Sequence, residues 1–381
     1  MKFAHLGDCH LGGWNESEIQ ELNLKSFQYA ISKCISEKVN FILISGDLFD
    51  SPYPSIEILK EAFNEFRKVK EAKIPVFLIA GSHDYSVSGK TFLEVLEKGG
   101  FCKNVSLYEE REDKIMLLPT IIENCAIYGY SGKKSSLEVE DIERIKLQDA
   151  PGMFKILMLH TAIRDAIGTL PIKAVNEKNL PKVDYLALAH LHIKYNKENR
   201  VYSGPTFPNN ISELEELKGG SFYIVDNGRA RREEINLKQV AVYSLEIKNS
   251  LSATEKILQT LELENVKDKV VIIKLHGSLD QGKITDIDFP KIEEFLIKKG
   301  AYSFLKTITQ LHTSDPELKI ETASAEMLEQ QMIKNFQEKT PGKFTPLLAP
   351  LMSILTSERG EDEKSSVFEG RIYSEFTKII K

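Results

Sequence analysis

Five short apolar runs, each continuous rather than alternating and each ending in aspartate or histidine, constrain this chain more than any other feature. Phe3-Ala4-His5-Leu6-Gly7 ends in Asp8-Cys9-His10, and Phe41-Ile42-Leu43-Ile44-Ser45-Gly46 ends in Asp47, with Asp50 three residues on. Pro75 to Gly81 ends in Ser82-His83-Asp84, Lys155 to Leu159 in His160, and Tyr185 to Ala189 in His190-Leu191-His192. A bounded, continuous apolar run suits a strand covered on both faces, and so a sheet inside a layered fold. Helical patterns separate the early runs: Phe27, Ala30, Ile31 and Cys34 recur at helix spacing, and Ile56 to Val69 and Thr91 to Leu96 read the same way. Later runs, such as Lys114 to Ile122, Ala126 to Tyr130, Val201 to Ser203 and Phe222 to Val225, have few helices between them, so some neighbours pair antiparallel. The expected class is α/β: a layered α/β/β/α sandwich over residues 1–238.

The pattern restarts after Leu237. Gln239 to Ile247 alternates like a strand, and Ser252-Ala253-Thr254-Glu255 reads as a capping box opening a helix. Val270 to Leu275 is a second strand, Asp288 with Pro290 starts a helix that stops at Gly300, and Tyr302 to Leu311 returns as a strand. Residues 239–312 are therefore expected to form a small α/β capping domain, and 313–324, mixing turn formers and charges, a linker.

Residues 325–381 carry amphipathic stripes. Leu328, Met332 and Phe336 share one helix face; Leu348, Leu351, Met352 and Leu355 make a second; Phe368, Ile372 and Phe376 make a third. Short helices of this kind do not bury such stripes alone, so they either fold back on the chain or dock on a partner protein. The preceding linker and the charged break at Ser357 to Lys364 favour the partner.

Composition narrows the setting. No run approaches the roughly 20 apolar residues that cross a bilayer, and Met1 leads directly into the first strand-like run, so no membrane span or secretory leader is expected. The four cysteines are scattered without a CxxC pair, which supports neither a disulfide framework nor a zinc knuckle and suits a reducing, cytoplasmic setting. A net charge of −6 excludes binding to polyanions through bulk positive charge, leaving local patches or bound metal to supply the attraction.

In open α/β sheets, sites gather at the carboxyl ends of strands. Asp8 and His10, like His190 and His192, are two apart, so on extended backbone the members of each pair point the same way. Of the eight histidines, five (His10, His83, His160, His190 and His192) stand at run ends. Imidazoles and carboxylates without thiolate suit manganese, iron or zinc rather than calcium or an iron–sulfur cluster. There are too many such groups for one ion, and an Asp between two clusters can bridge a pair roughly 3.5–4 Å apart, the arrangement that clamps a phosphate.

Asp8-x-His10, Gly46-Asp47-x-x-Asp50, Gly81-Ser82-His83-Asp84, His160 and Ala189-His190-x-His192 resemble the five motifs of the calcineurin-like metallophosphoesterases. The match covers roughly residues 1–235. Within that group, Asp8-Cys9-His10-Leu11-Gly12 and Gly46-Asp47-Leu48-Phe49-Asp50, with a small second domain and C-terminal helices, resemble the double-strand-break repair nucleases of the meiotic recombination eleven (Mre-eleven)/SbcD kind. The resemblance implies manganese-dependent exonuclease and endonuclease activity on DNA ends, two Mn2+ per chain, and a homodimer. It also implies partnership with a coiled-coil ABC ATPase of the Rad-fifty type through the C-terminal helices.

It also implies roles. Asp8, His10, Asp47 and His192 would hold one ion, and Asp47 would bridge to a second held by residue 82, His160 and His190. His83 would protonate the leaving oxygen or stabilise the transition state, with Asp50 fixing its ring. The family carries Asn where this chain has Ser82, a shorter and weaker ligand. Two alternatives follow: a DNA-end-binding scaffold with weakened catalysis, or a metallophosphoesterase that is not a nuclease. Candidate DNA contacts are Lys133, Lys134, Tyr202 and Ser203. Ile56, Leu59, Phe63 and Phe66, with Phe92, Leu93 and Leu96, offer helix faces for either a dimer or the core.

Overall fold

The core is a pair of facing six-stranded sheets. The first runs, in spatial order, Arg229–Ile235, Gly220–Asp226, Lys2–Leu6, Phe41–Ser45, Val76–Ile79 and Lys103–Asn104. The second runs Tyr195–Lys197, Arg200–Tyr202, Tyr185–Ala189, Phe154–His160, Cys125–Tyr130 and Thr120–Ile122. In both, the central strands are parallel and antiparallel pairs lie toward the edges, as the helix-poor later half of the pattern requires. The structure, a computed structural model, describes residues 1–86, 89–111, 113–313, 347, 350, 351, 354 and 365–380.

Alternation along each strand builds three layers of core from what reads as one apolar run. Phe3, Phe41, Leu43, Phe77 and Ile79 meet Ile127, Ile156, Met158 and Ala187 between the sheets. Their neighbours Ala4, Leu6, Ile42, Ile44 and Leu78 face outward onto the helices Ser17–Ser36 and Ile56–Glu71, through Phe27, Ala30, Ile31, Cys34, Ala62 and Phe66. On the far side Ala126, Tyr128, Leu157, Leu159, Leu186 and Leu188 form the outer layer with Val139 and Ile142. The chain thus has the α/β/β/α sandwich its pattern implied, and Cys34 is core. Phe66, Leu93 and Leu96 are likewise core, whereas Ile56 and Val95 are exposed.

A third sheet, Gln239–Glu246, Lys269–Leu279 and Ser303–Thr313, is wholly parallel, with the helices Ala253–Glu262 and Phe289–Lys298 as its crossovers. One face buries Ile257, Leu261, Ile292 and Leu296 against Val271, Ile273 and Leu275. The other, Val240, Val270, Ile272 and Leu305, packs on Trp14, Ile19, Leu22, Phe207 and Leu214. Ser252 does not cap the first of these helices: Asn249 caps a short 3-10 turn at Ser250–Ser252 that leads into it. Asp288 caps the second, accepting from the Lys291 N–H at 3.0 Å.

Residues Met1–Thr313 form one compact unit and Ser314–Lys381 another. In the second, the helix Ser365–Ile380 carries Phe368, Ile372 and Phe376, with Tyr373 and Phe376 exposed. Of the other stripe residues, Leu351 falls within the described residues; Leu328, Met332, Phe336, Leu348, Met352 and Leu355, and the expected linker, lie outside them. No helix among the described residues is long and apolar enough to cross a membrane.

Candidate metal centre

The parallel strands of both sheets end at one edge, and the backbone there turns abruptly. Asp8 (φ 49°), His10 (φ 42°), Asp47 (φ 49°), His190 (φ 106°) and His192 (φ 53°) all adopt left-handed backbone. Such conformations cost a non-glycine residue of order 1–3 kcal/mol and persist where surrounding contacts enforce them, typically at functional sites. Here the contacts are specific. The Asp8 N–H donates to the Gly46 carbonyl and the His10 N–H to the Asp47 carbonyl, both at 3.0 Å, which zips the two loops together. The His190 N–H donates to both Asp8 carboxylate oxygens at 3.0 Å, joining the first sheet to the second. Gly46 (φ +100°) and Gly81 let these loops touch: a Cβ on Gly46 would stand 2.5 Å from His160 Nδ1, and one on Gly81 2.1 Å from Asp47 Oδ1.

The side chains converge as three overlapping clusters: Asp8, His10 and His192; Asp8, Asp47 and His160; His10, Asp50 and His83, each with its ligand atoms within 4.8 Å of one another. His190 adds its ring beside His160, centroids 5.1 Å apart. Ser82 is half-buried between Gly81 and His83, whose N–H donates to Asp47 Oδ1 at 2.8 Å.

Outer partners decide which ring nitrogens face the centre. His10 Nδ1 lies 3.1 Å from Asp50 Oδ1 and His192 Nδ1 lies 3.0 Å from Glu213 Oε2. Carboxylates only accept, so both Nδ1 atoms carry hydrogen and both Nε2 atoms present bare lone pairs when the rings are neutral. Those two Nε2 atoms stand 3.0 Å apart, with Asp47 Oδ2 at 3.7 Å from the first and Asp8 Oδ1 at 3.8 Å from the second. His160 repeats the arrangement. Its Nδ1 donates to the Ser45 carbonyl at 3.0 Å, while its Nε2 lies 3.1 Å from Asp47 Oδ2 without hydrogen-bond geometry and without another partner among the described residues. Buried lone pairs and carboxylates aimed at one another require positive charge between them, so the donor set fits a divalent cation.

Without that charge, protons take its place. Burial works against an imidazolium at His160, but Asp47 and Asp8 outweigh it and raise the ring to about 10. Asp47 is held far below the usual carboxylate range: burial opposes ionisation, and His160, His10 and His83 overcome it. Burial likewise opposes charge on His192, which Asp8 and Glu213 nevertheless lift to about 8. His190 is lowered to about 4 by burial and by His160.

His83 stands apart as the exposed member, 46% accessible at the rim. The carboxylate of Asp50 lies 3.7 Å from His83 Nδ1, beside its ring, and also serves His10 and accepts from Asn209 Nδ2 at 3.0 Å. The Asp50 backbone carbonyl accepts from His83 Nδ1 at 2.9 Å, which leaves Nε2 for another partner. Asp84 is structural: its buried carboxyl accepts from the Gly81, Phe49 and Leu48 N–H groups and is pushed up to about 7 by burial and by Asp47.

Two expected substrate contacts are excluded. Tyr202 and Ser203 are fully buried; the Tyr202 hydroxyl donates to the Thr161 carbonyl and accepts from the Ile163 N–H, so it braces the loop after His160 rather than lining a groove. Lys133 and Lys134 are exposed. Glu213 and Asn209, which orient His192 and Asp50, escaped the sequence reading; their one signal was Asn210 three residues before Glu213, an N-cap pattern, and Asn210 does cap the helix Ile211–Leu217.

Comparison with known proteins matches residues 1–194 to the model of the family described as calcineurin-like phosphoesterase. Three relatives are each named DNA double-strand break repair protein Mre11. The protein of Methanosarcina acetivorans is 28% identical over 316 residues, 79% of this chain and 49% of its own length. That of Archaeoglobus fulgidus is 24% identical over 96% of this chain and 83% of its own, and that of Methanococcus maripaludis 30% over 59% and 63%. The chain spans about half the length of the first of these relatives.

Proposed function

We propose, for a chain that belongs to the calcineurin-like phosphoesterases, that it is a manganese-dependent DNA nuclease that processes double-strand breaks. One observation carries the reading: bare imidazole nitrogens of His10, His192 and His160 and the carboxylates of Asp8 and Asp47 converge from four strand ends of two sheets, in a chain similar to repair proteins named Mre11.

Asp8, His10, Asp47 and His192 would hold one ion, and Asp47, His160, His190 and Ser82 a second. Bound there, divalent cations would polarise the phosphodiester and make a water nucleophilic at neutral pH. The remaining work falls to the chain. Asp50 and Glu213 hold the His10 and His192 rings in the tautomer that presents Nε2 inward. The His160 ring is held likewise by the Ser45 carbonyl. His83, anchored through Nδ1 and packed edge-on to His10 at 4.8 Å, offers Nε2 at the rim to give a proton to the departing oxygen. Exposure suits that role, because the group must meet a substrate arriving from solvent.

Two assemblies belong to the proposal. The helix Ser365–Ile380, with Tyr373 74% exposed on it, would dock on the coiled coil of a Rad-fifty-type ABC ATPase. Exposed Tyr53, Ile56 and Val95 would meet a second copy of the chain.

The test is digestion of end-labelled duplex DNA with manganese. The expected result is cleavage that Asp8→Asn abolishes. Cleavage that persists in Asp8→Asn, or hydrolysis of nucleotides or phosphoserine with none of DNA, overturns the reading.

A further inference from the structure

Beside the metal centre lies a cavity of about 580 Å³ whose walls include Tyr85, Asn104, Tyr108, Tyr130 and Lys134. It adjoins the chemistry on two sides. Tyr85 directly follows His83-Asp84, and Gly132, also in its wall, packs so closely on His160 that a Cβ there would stand 2.7 Å from the ring.

Its back is locked and its front is open. Tyr130 is buried, its hydroxyl donates to Asp141 Oδ2 at 2.9 Å, and Lys133 both pairs with Asp141 and lies 5.7 Å over the Tyr130 ring. Tyr108 leans on Tyr130, centroids 5.5 Å apart, yet remains 43% exposed. Lys134 is exposed and forms no ion pair among the described residues. Asn104 Oδ1 accepts from the Ser106 N–H, which turns its amide nitrogen to the role of donor. One exposed aromatic ring, one exposed cation and one amide donor are the groups that hold a base by stacking, its phosphate by charge and its edge by hydrogen bonding. In a chain of net charge −6, an exposed lysine beside the site supplies the local positive charge that a polyanion needs.

We propose that this cavity receives one unpaired base of the strand whose phosphate reaches the metal centre, stacked on Tyr108 with Lys134 on an adjacent phosphate. The inference rests on the nuclease reading and deepens it: the chain would engage a frayed or single-stranded end in preference to a fully paired one, because a paired base cannot leave its stack without cost.

Tyr108 sits on the strand Tyr108–Arg111, exposed along its whole length, so truncating it removes no core. The test is fluorescence anisotropy of the full chain with manganese and a labelled, cleavage-resistant phosphorothioate oligothymidylate, against an abasic strand of the same length. Loss of a stacked base costs on the order of tenfold in affinity. Tyr108→Ala should therefore weaken binding of the base-bearing strand about tenfold and leave the abasic strand unchanged, while Tyr108→Phe binds both like the wild type. Equal weakening of both strands, no weakening of either, or no binding by the wild type overturns the proposal. Hydrolysis of bis(p-nitrophenyl) phosphate, a diester without a base, should be unaffected by Tyr108→Ala. If the wild type fails to hydrolyse it, the phosphodiesterase reading is what fails, and the binding comparison still judges the cavity.

Discussion

His192 Nδ1 and Glu213 Oε2 stand 3.0 Å apart, and through that bond a residue of a short helix fixes which nitrogen a strand-end histidine turns toward the metal centre. Removing the carboxylate while keeping an acceptor isolates the effect. Glu213→Gln should melt like the wild type but bind manganese about 10- to 100-fold more weakly, the usual cost of losing such a partner. Manganese calorimetry on the two proteins checks this, and equal affinities would refute it.

Gly46 holds two constraints at once, a φ of +100° and contact distance to His160 and Gly81. Gly46→Ala should lower the melting temperature and abolish phosphodiesterase activity, since the methyl group must displace either the His160 ring or the Gly81 loop. A variant with wild-type melting and turnover would show that these loops are not packed as described.

Ser82 stands at the loop beside Asp47 where an amide oxygen would reach further. Ser82→Asn should lower the manganese concentration needed for half-maximal cleavage, with the largest gain at limiting metal. Identical manganese dependence in the two proteins would remove residue 82 from the ligand set.

Asp8 and Asp47 are both buried, and a cation relieves their mutual repulsion only in the folded state. Manganese at about 100 times its dissociation constant should add about 2.7 kcal/mol to stability. A thermal melt should rise by several degrees with manganese, fall back with chelator, and show no rise in Asp47→Asn. An Asp47→Asn protein that gains as much as the wild type would place the ion elsewhere.

The strands and their polar tips were legible because two-sided burial leaves continuous apolar runs, and His160, buried at the end of Phe154–His160, is placed as its run implied. Tyr202 and Ser203 are buried where the sequence suggests a groove, because a strand end looks alike in sequence whether it opens to solvent or is roofed by the loop after His160. Glu213 and Asn209 could not be read, because only the packing of the two sheets carries them to His192 and Asp50. Asp50 meets the His83 ring through its carboxylate, as expected, and also through its backbone carbonyl, a contact that sequence never distinguishes.

The most direct measurement is manganese stoichiometry by isothermal titration calorimetry on the wild type, Asp8→Asn and Asp47→Asn. The account predicts two ions per wild-type chain, one lost in Asp8→Asn and both lost or severely weakened in Asp47→Asn, whose carboxylate lies between the His10 and His160 clusters. A wild-type chain that binds no manganese, or an Asp47→Asn chain that still binds two ions with wild-type affinity, would contradict it.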